Sequence, residues 1–136
     1  MNLRQMSATA GLILVCAAVL VSSPSPQRGD ISLNDDDKTT TIECKGAAVT
    51  VNGDDNTLTL KDDCSRLTVN GDDNTIHAKT VTEVAVTGDD NTIEVETVAR
   101  ISTTGDDNTV NWKKGAGGKD PQISKLGDDN TIKKVN

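Results

Sequence analysis

From about Thr39 onward, apolar residues recur two apart in short paired runs. One series reads Leu58/Leu60, Ile76/Ala78, Ile93/Val95 and Val110/Trp112; the other reads Val49/Val51, Leu67/Val69, Val84/Val86 and Ile101/Thr103. Residues two apart on a strand face the same side, so each run predicts a short strand placing two side chains inward. The intervening positions are Thr, Lys, Glu, His and Asn, which suit solvent. Val81 and Val98 fall between paired runs and predict a short third side. Helices are excluded, because the runs are rich in β-branched residues and turn formers interrupt them.

The interruptions are almost identical. Gly53-Asp54-Asp55-Asn56-Thr57 returns at Gly71–Thr75, Gly88–Thr92, Gly105–Thr109 and Gly127–Thr131, with glycine spacings of 18, 17, 17 and 22. The last spacing is stretched by an insertion around Gly115–Pro121. A fixed period carrying one turn and alternating strands describes stacked coils. The expected fold is therefore all-β: a single-domain parallel β-solenoid of about five to six short coils, period 17–18 residues. Equivalent strands would pair about 4.8 Å apart. Each turn residue would then stack on its copies. Asn56, Asn74, Asn91, Asn108 and Asn130 are expected to form an amide ladder.

Residues 39–52 read as a degenerate first coil. Aligned back from the glycines, Ile42 falls on Leu60 and Cys44 on Asp62, which brings Cys44 and Cys64 to nearly the same corner of adjacent coils. A disulfide between them is expected to staple this end. At the other end Lys133 and Lys134 charge the last strand, which discourages edge-to-edge growth.

The preceding residues organise the chain differently. Arg4, the uncharged run Gly11–Val21 and then Ser22–Pro26 follow the order of a secretory signal, expected over residues 1–23. The run falls short of the roughly 20 apolar residues of a comfortable span, with an uncleaved anchor as the alternative. Cys16 lies inside the run behind Val15, so it reads as part of the signal rather than as a lipidation site. Residues 24–38 read as a disordered polar linker, leaving 39–136 as the solenoid domain. Such a chain is expected to be secreted or held in the cell envelope, touching a membrane only through an uncleaved N-terminal segment.

Composition narrows the functions. Phe and Tyr are absent, Trp112 is the only aromatic, and the formal charge is −7. A chain of that sign without a basic stripe repels phosphate backbones, so nucleic acid is not an expected partner. No esterase, zinc-protease or phosphate-loop motif is present, and His77 is the only histidine. His77 reads as a solvated strand residue and Trp112 as filler for the last coils, with an exposed binding aromatic as its alternative. The outward series Thr59, His77, Glu94 and Asn111 is too irregular for an ice-binding array. No enzyme and no cofactor are expected. The exception weighed is calcium on a stacked column built from Asp54, Asp55, Asp72, Asp73, Asp89, Asp90, Asp106, Asp107, Asp128 and Asp129. The plainer reading makes these aspartates turn formers that solvate the surface. Together these features read as an exported structural or binding module with an envelope or extracellular partner, the alternative being a calcium-dependent adhesin.

The signal segment, polar linker, paired cysteines and repeated Gly-Asp-Asp-Asn-Thr-(Ile/Leu/Val) resemble the exported bacterial family called domain of unknown function 3060, found largely in actinobacteria. The resemblance covers roughly residues 40–136. It implies a β-solenoid and an envelope location, and no activity.

Overall fold

A computed structural model describes residues 29–136. The strands run β1 (Ile31–Leu33), β2 (Thr39–Glu43), β3 (Ala48–Asn52), β4 (Thr57–Asn70), β5 (Thr75–Thr87), β6 (Thr92–Thr104), β7 (Thr109–Gly115), β8 (Gln122–Leu126) and β9 (Thr131–Lys134), with a 3-10 turn at Ala116–Gly118. Every pairing is parallel and joins a strand to its counterpart one coil away. The chain is a β-solenoid of about six turns. The signal segment, Cys16 within it and the head of the linker lie outside the described residues.

Each coil has three sides. The first contributes two inward residues (Leu58 and Leu60), the second one (Val81 or Val98) and the third two (Leu67 and Val69), all buried. Register keeps like on like: Leu58 on Ile76, Val81 on Val98, Leu67 on Val84. The core is thus a set of aliphatic columns along the axis, which is why it needs no Phe or Tyr. The extra residue of the 18-residue coils sits at the second corner, where the register slips between Leu60 and Asp63 and Asp62 adopts a φ of 64°.

Cys44 and Cys64 are disulfide-bonded with Cα atoms 5.0 Å apart. Both are buried, and Cys64 stands in register with Val81, so the sulfurs continue a valine column. Trp112 is also buried, with Lys134 Nζ 5.0 Å above its ring. It fills the last coils, and the exposed-aromatic alternative is set aside.

The linker boundary needs correction. The solenoid begins at Ile31, not Thr39: β1 pairs with β3, and Asp35-Asp36-Asp37-Lys38-Thr39 makes a sixth turn beneath Gly53–Thr57. Asp36 Oδ1 accepts the Asp54 N–H at 3.0 Å, and the Lys38 N–H donates to Asn56 Oδ1 at 3.0 Å. The missing Gly and Asn have one physical reason. In later turns the glycine has φ well into the positive region, and a Cβ on Gly88 would collide with the carbonyl oxygen of Gly71. The asparagine, too, bonds to the coil before it. The first described turn has no earlier described coil to satisfy either demand, and Asp35 is not among the positive-φ residues.

The two ends differ. At the N-terminal end Ile31, Leu33 and Ile42 pack half-buried against the core. At the C-terminal end the inward registers of Thr103 and Trp112 are taken by Lys125 and Lys134. Inward-pointing charge is one of the ways a sheet edge is closed to further pairing. Ile123, on β8, is left 47% exposed.

Candidate functional site

The repeated turn places its residues in separate columns. The five asparagines are buried. Each Oδ1 accepts the backbone N–H of the equivalent residue one coil earlier, at 3.1 Å from Asn56 to Asn74 and 3.2 Å from Asn91 to Asn108. Each Nδ2 from Asn74 onward donates to the glycine carbonyl of the coil before, at 2.6–2.9 Å. Amide-to-amide bonds occur as well, from Asn74 to Asn91 and from Asn91 to Asn108. Asn56 Nδ2 is left without a partner.

The two aspartates of each turn do different work. The first reaches forward: Asp54, Asp72, Asp89 and Asp106 each accept, through Oδ1, the backbone N–H of the first aspartate in the next coil, at 2.7–2.8 Å. The second occupies the left-handed region, with φ of 51–58° at Asp55, Asp73, Asp90, Asp107 and Asp129. Its carboxylates form an exposed stack. Asp73 and Asp107 are raised above the ordinary carboxylate range, first by partial desolvation and then by repulsion, from Asp55 and Asp90 foremost at Asp73 and from Asp90 and Asp129 foremost at Asp107. Among the described residues, no group of three or more His, Cys, Asp or Glu is placed to hold a metal ion.

Other ladders escape a reading of the pentapeptide alone. Asn52 Nδ2 donates to Asn34 Oδ1 at 2.7 Å, and Asn70 Nδ2 to Asn52 Oδ1 at 2.9 Å. The signal for them is the Asn that precedes Gly53 and Gly71. On the third side Glu83 lies between Arg66 (2.7 Å) and Arg100 (3.9 Å).

The first side carries a groove of about 670 Å³ running along the axis. Its floor is the backbone at Leu60, Ala78 and Val95. One wall is Thr59, His77, Glu94 and Asn111; the other is Lys61, Lys79, Glu96 and Lys113. His77 Nδ1 lies 3.0 Å from Glu94, and Lys113 Nζ lies 3.6 Å from Glu96. His77 is exposed, as a solvated strand position requires.

The family profile described as Protein of unknown function (DUF3060) matches residues 51–94 and again 80–129. The chain belongs to this family. The two matches overlap at the middle coils, as they must when a repeat can be laid onto itself in more than one register. No curated protein and no solved structure matches the chain. The DUF3060 family carries no assigned activity, so the reading of function rests on the residues themselves.

Proposed function

We infer that this DUF3060 chain is an exported or cell-envelope module with a structural or binding role and no catalysis. The observation that carries the reading is the buried Cys44–Cys64 disulfide, since paired cysteines persist in oxidising compartments. Among the described residues, no helix is long and apolar enough to cross a membrane. The single imidazole is spent on Glu94, and the partner is an envelope or extracellular component rather than a nucleic acid. Fractionation of cells expressing the full chain tests this. The protein should be recovered outside the cytoplasm, shortened at its N-terminus, with Cys44 and Cys64 bonded by non-reducing mass spectrometry. Cytoplasmic recovery with free thiols would sink the reading.

A second reading, calcium-dependent adhesion, is favoured by the exposed stack of second aspartates. Millimolar CaCl₂ and NaCl at matched ionic strength separate the two. Screening alone raises the melting temperature equally. Excess stabilisation by calcium, abolished by Asp73→Asn with Asp90→Asn, would promote the adhesin.

A further inference from the structure

We propose that Asn70–Gly71 is a site of spontaneous succinimide formation, and that its conversion opens Asn52–Gly53 to the same reaction, so that the N-terminal coils are modified in a fixed order. The inference goes beyond the reading of the chain as an exported module and does not depend on it.

The chemistry is local. An asparagine followed by glycine is prone to cyclise, because glycine has no side chain to crowd its nitrogen. That backbone nitrogen gives its proton to a solvent base and attacks the asparagine Cγ. A carbon–nitrogen bond forms, the bond to Nδ2 breaks and ammonia leaves. Water then opens the ring at either carbonyl. One product is aspartate; the other is isoaspartate, in which the main chain runs through the side-chain carbonyl. Nothing is oxidised or reduced. The chain holds two such pairs, in identical surroundings: residues 50–57 and 68–75 both read Thr-Val-Asn-Gly-Asp-Asp-Asn-Thr. Local sequence therefore makes the two equally reactive, and any difference between them belongs to the fold.

The fold holds them unequally. Both nucleophiles are tied: the Gly71 N–H donates to the Thr87 carbonyl and the Gly53 N–H to the Asn70 carbonyl, each at 3.1 Å. Each reaction thus waits for a local opening between neighbouring coils. The side chains differ. Asn52 is half-buried, donates to Asn34, accepts from Asn70 and lies inside the loop closed by Cys44 and Cys64. Asn70 is exposed, lies outside that loop, and stands in register with Thr87, where the ladder ends. Its amide has one ladder bond to give up, the donation to Asn52. Asn70 reacts first. Its conversion then removes both restraints that it places on the earlier pair. Nδ2, the donor to Asn52 Oδ1, has left as ammonia. In the isoaspartyl product the Asn70 carbonyl, which accepts the Gly53 N–H, becomes a free carboxylate outside the main chain. Asn52 follows, and each event adds one negative charge to a chain of net charge −7.

The full chain is incubated at 37 °C and mildly alkaline pH, and its tryptic peptides are followed by mass spectrometry with isoaspartyl methylation as a second readout. Cleavage at Lys61 and Arg66 separates the two sites. Asn70 is expected to convert several-fold ahead of Asn52, which follows after a lag; in urea the two should convert together. Asn70→Asp, which lacks the donor, should speed Asn52 several-fold. Asn52→Asp, whose carboxylate still accepts from Asn70, should leave Asn70 unchanged. If Asn70→Asp lowers the melting temperature, the order and lag in the parent chain decide. The proposal is overturned if Asn52 converts first or in step with Asn70 in the folded chain. It is overturned equally if neither converts over a period in which the urea-unfolded chain does, or if a stably folded Asn70→Asp variant leaves Asn52 as slow as in the parent.

Discussion

At Gly88 a single hydrogen atom decides whether two coils can touch. A Cβ there would occupy the space of the Gly71 carbonyl oxygen, and φ is +128°. Gly88→Ala should therefore cost at least about 2 kcal/mol, from left-handed strain and from prising two layers apart. Asp35→Ala, at the equivalent position of the first turn, should be nearly neutral by the same chemical denaturation assay. Asp35 has neither a positive φ nor a described coil before it, so its substitution meets neither cost. The same logic explains what the sequence hides at this scale. Alternating apolar residues announce their facing directly, because each either meets water or does not. Asp35 and Lys38 conceal a genuine turn, because the residues that mark the repeat are those that contact a preceding coil. The two aspartates of each pair also look alike as turn formers. Only stacking reveals that Asp72 holds the Asp89 N–H while Asp73 faces its copies.

The column of second aspartates is the element on which pH acts. Asp73 and Asp107 have raised pKa values, so the folded state holds their protons more tightly than the unfolded chain does. Their contribution to stability is complete below the ordinary carboxylate pKa and is lost as pH rises through the raised value. Asp73→Asn with Asp107→Asn should raise the melting temperature at pH 7, since Asn also tolerates the left-handed region. That advantage should vanish at about pH 3, where the parent carboxyls are protonated. An advantage equal at both pH values would place the effect in backbone conformation rather than in charge. The groove is less legible than the columns. Its wall residues lie on consecutive coils, so no local stretch of sequence displays them together; the period must be applied first, and then the outward positions compared.

At the scale of the molecule, nearly every contact joins a coil to the next, so stability is close to a sum over interfaces. The N-terminal coils carry extra fastening: the Asn34–Asn52–Asn70 ladder outside and the disulfide inside. Replacing Cys44 and Cys64 with Ser removes a crosslink spanning 20 residues and should cost about 3 kcal/mol in thermal melts. Loss of protection in hydrogen exchange should concentrate in β1 to β3 and fade towards β6. Uniform loss across all coils would mean that the solenoid melts as one unit. The period is readable from the glycines alone, but the sixth turn is not, because Asp35 stands where the glycine would be. The inward registers of Lys125 and Lys134 follow from the same period, since they stand to Gly127 as Thr103 and Trp112 stand to Gly105; what disguises them is charge at a position that is apolar or Thr in earlier coils.

The asymmetry of the seam gives the stack an arrow. Each glycine makes room for the layer before it, and each buried asparagine is satisfied by that layer. A newly added coil therefore finds its partners already in place, while an isolated later coil lacks them. The chain is synthesised in that same order. The first fastened coil is thus a foundation laid before the courses above it, and the two inward lysines mark where building stops.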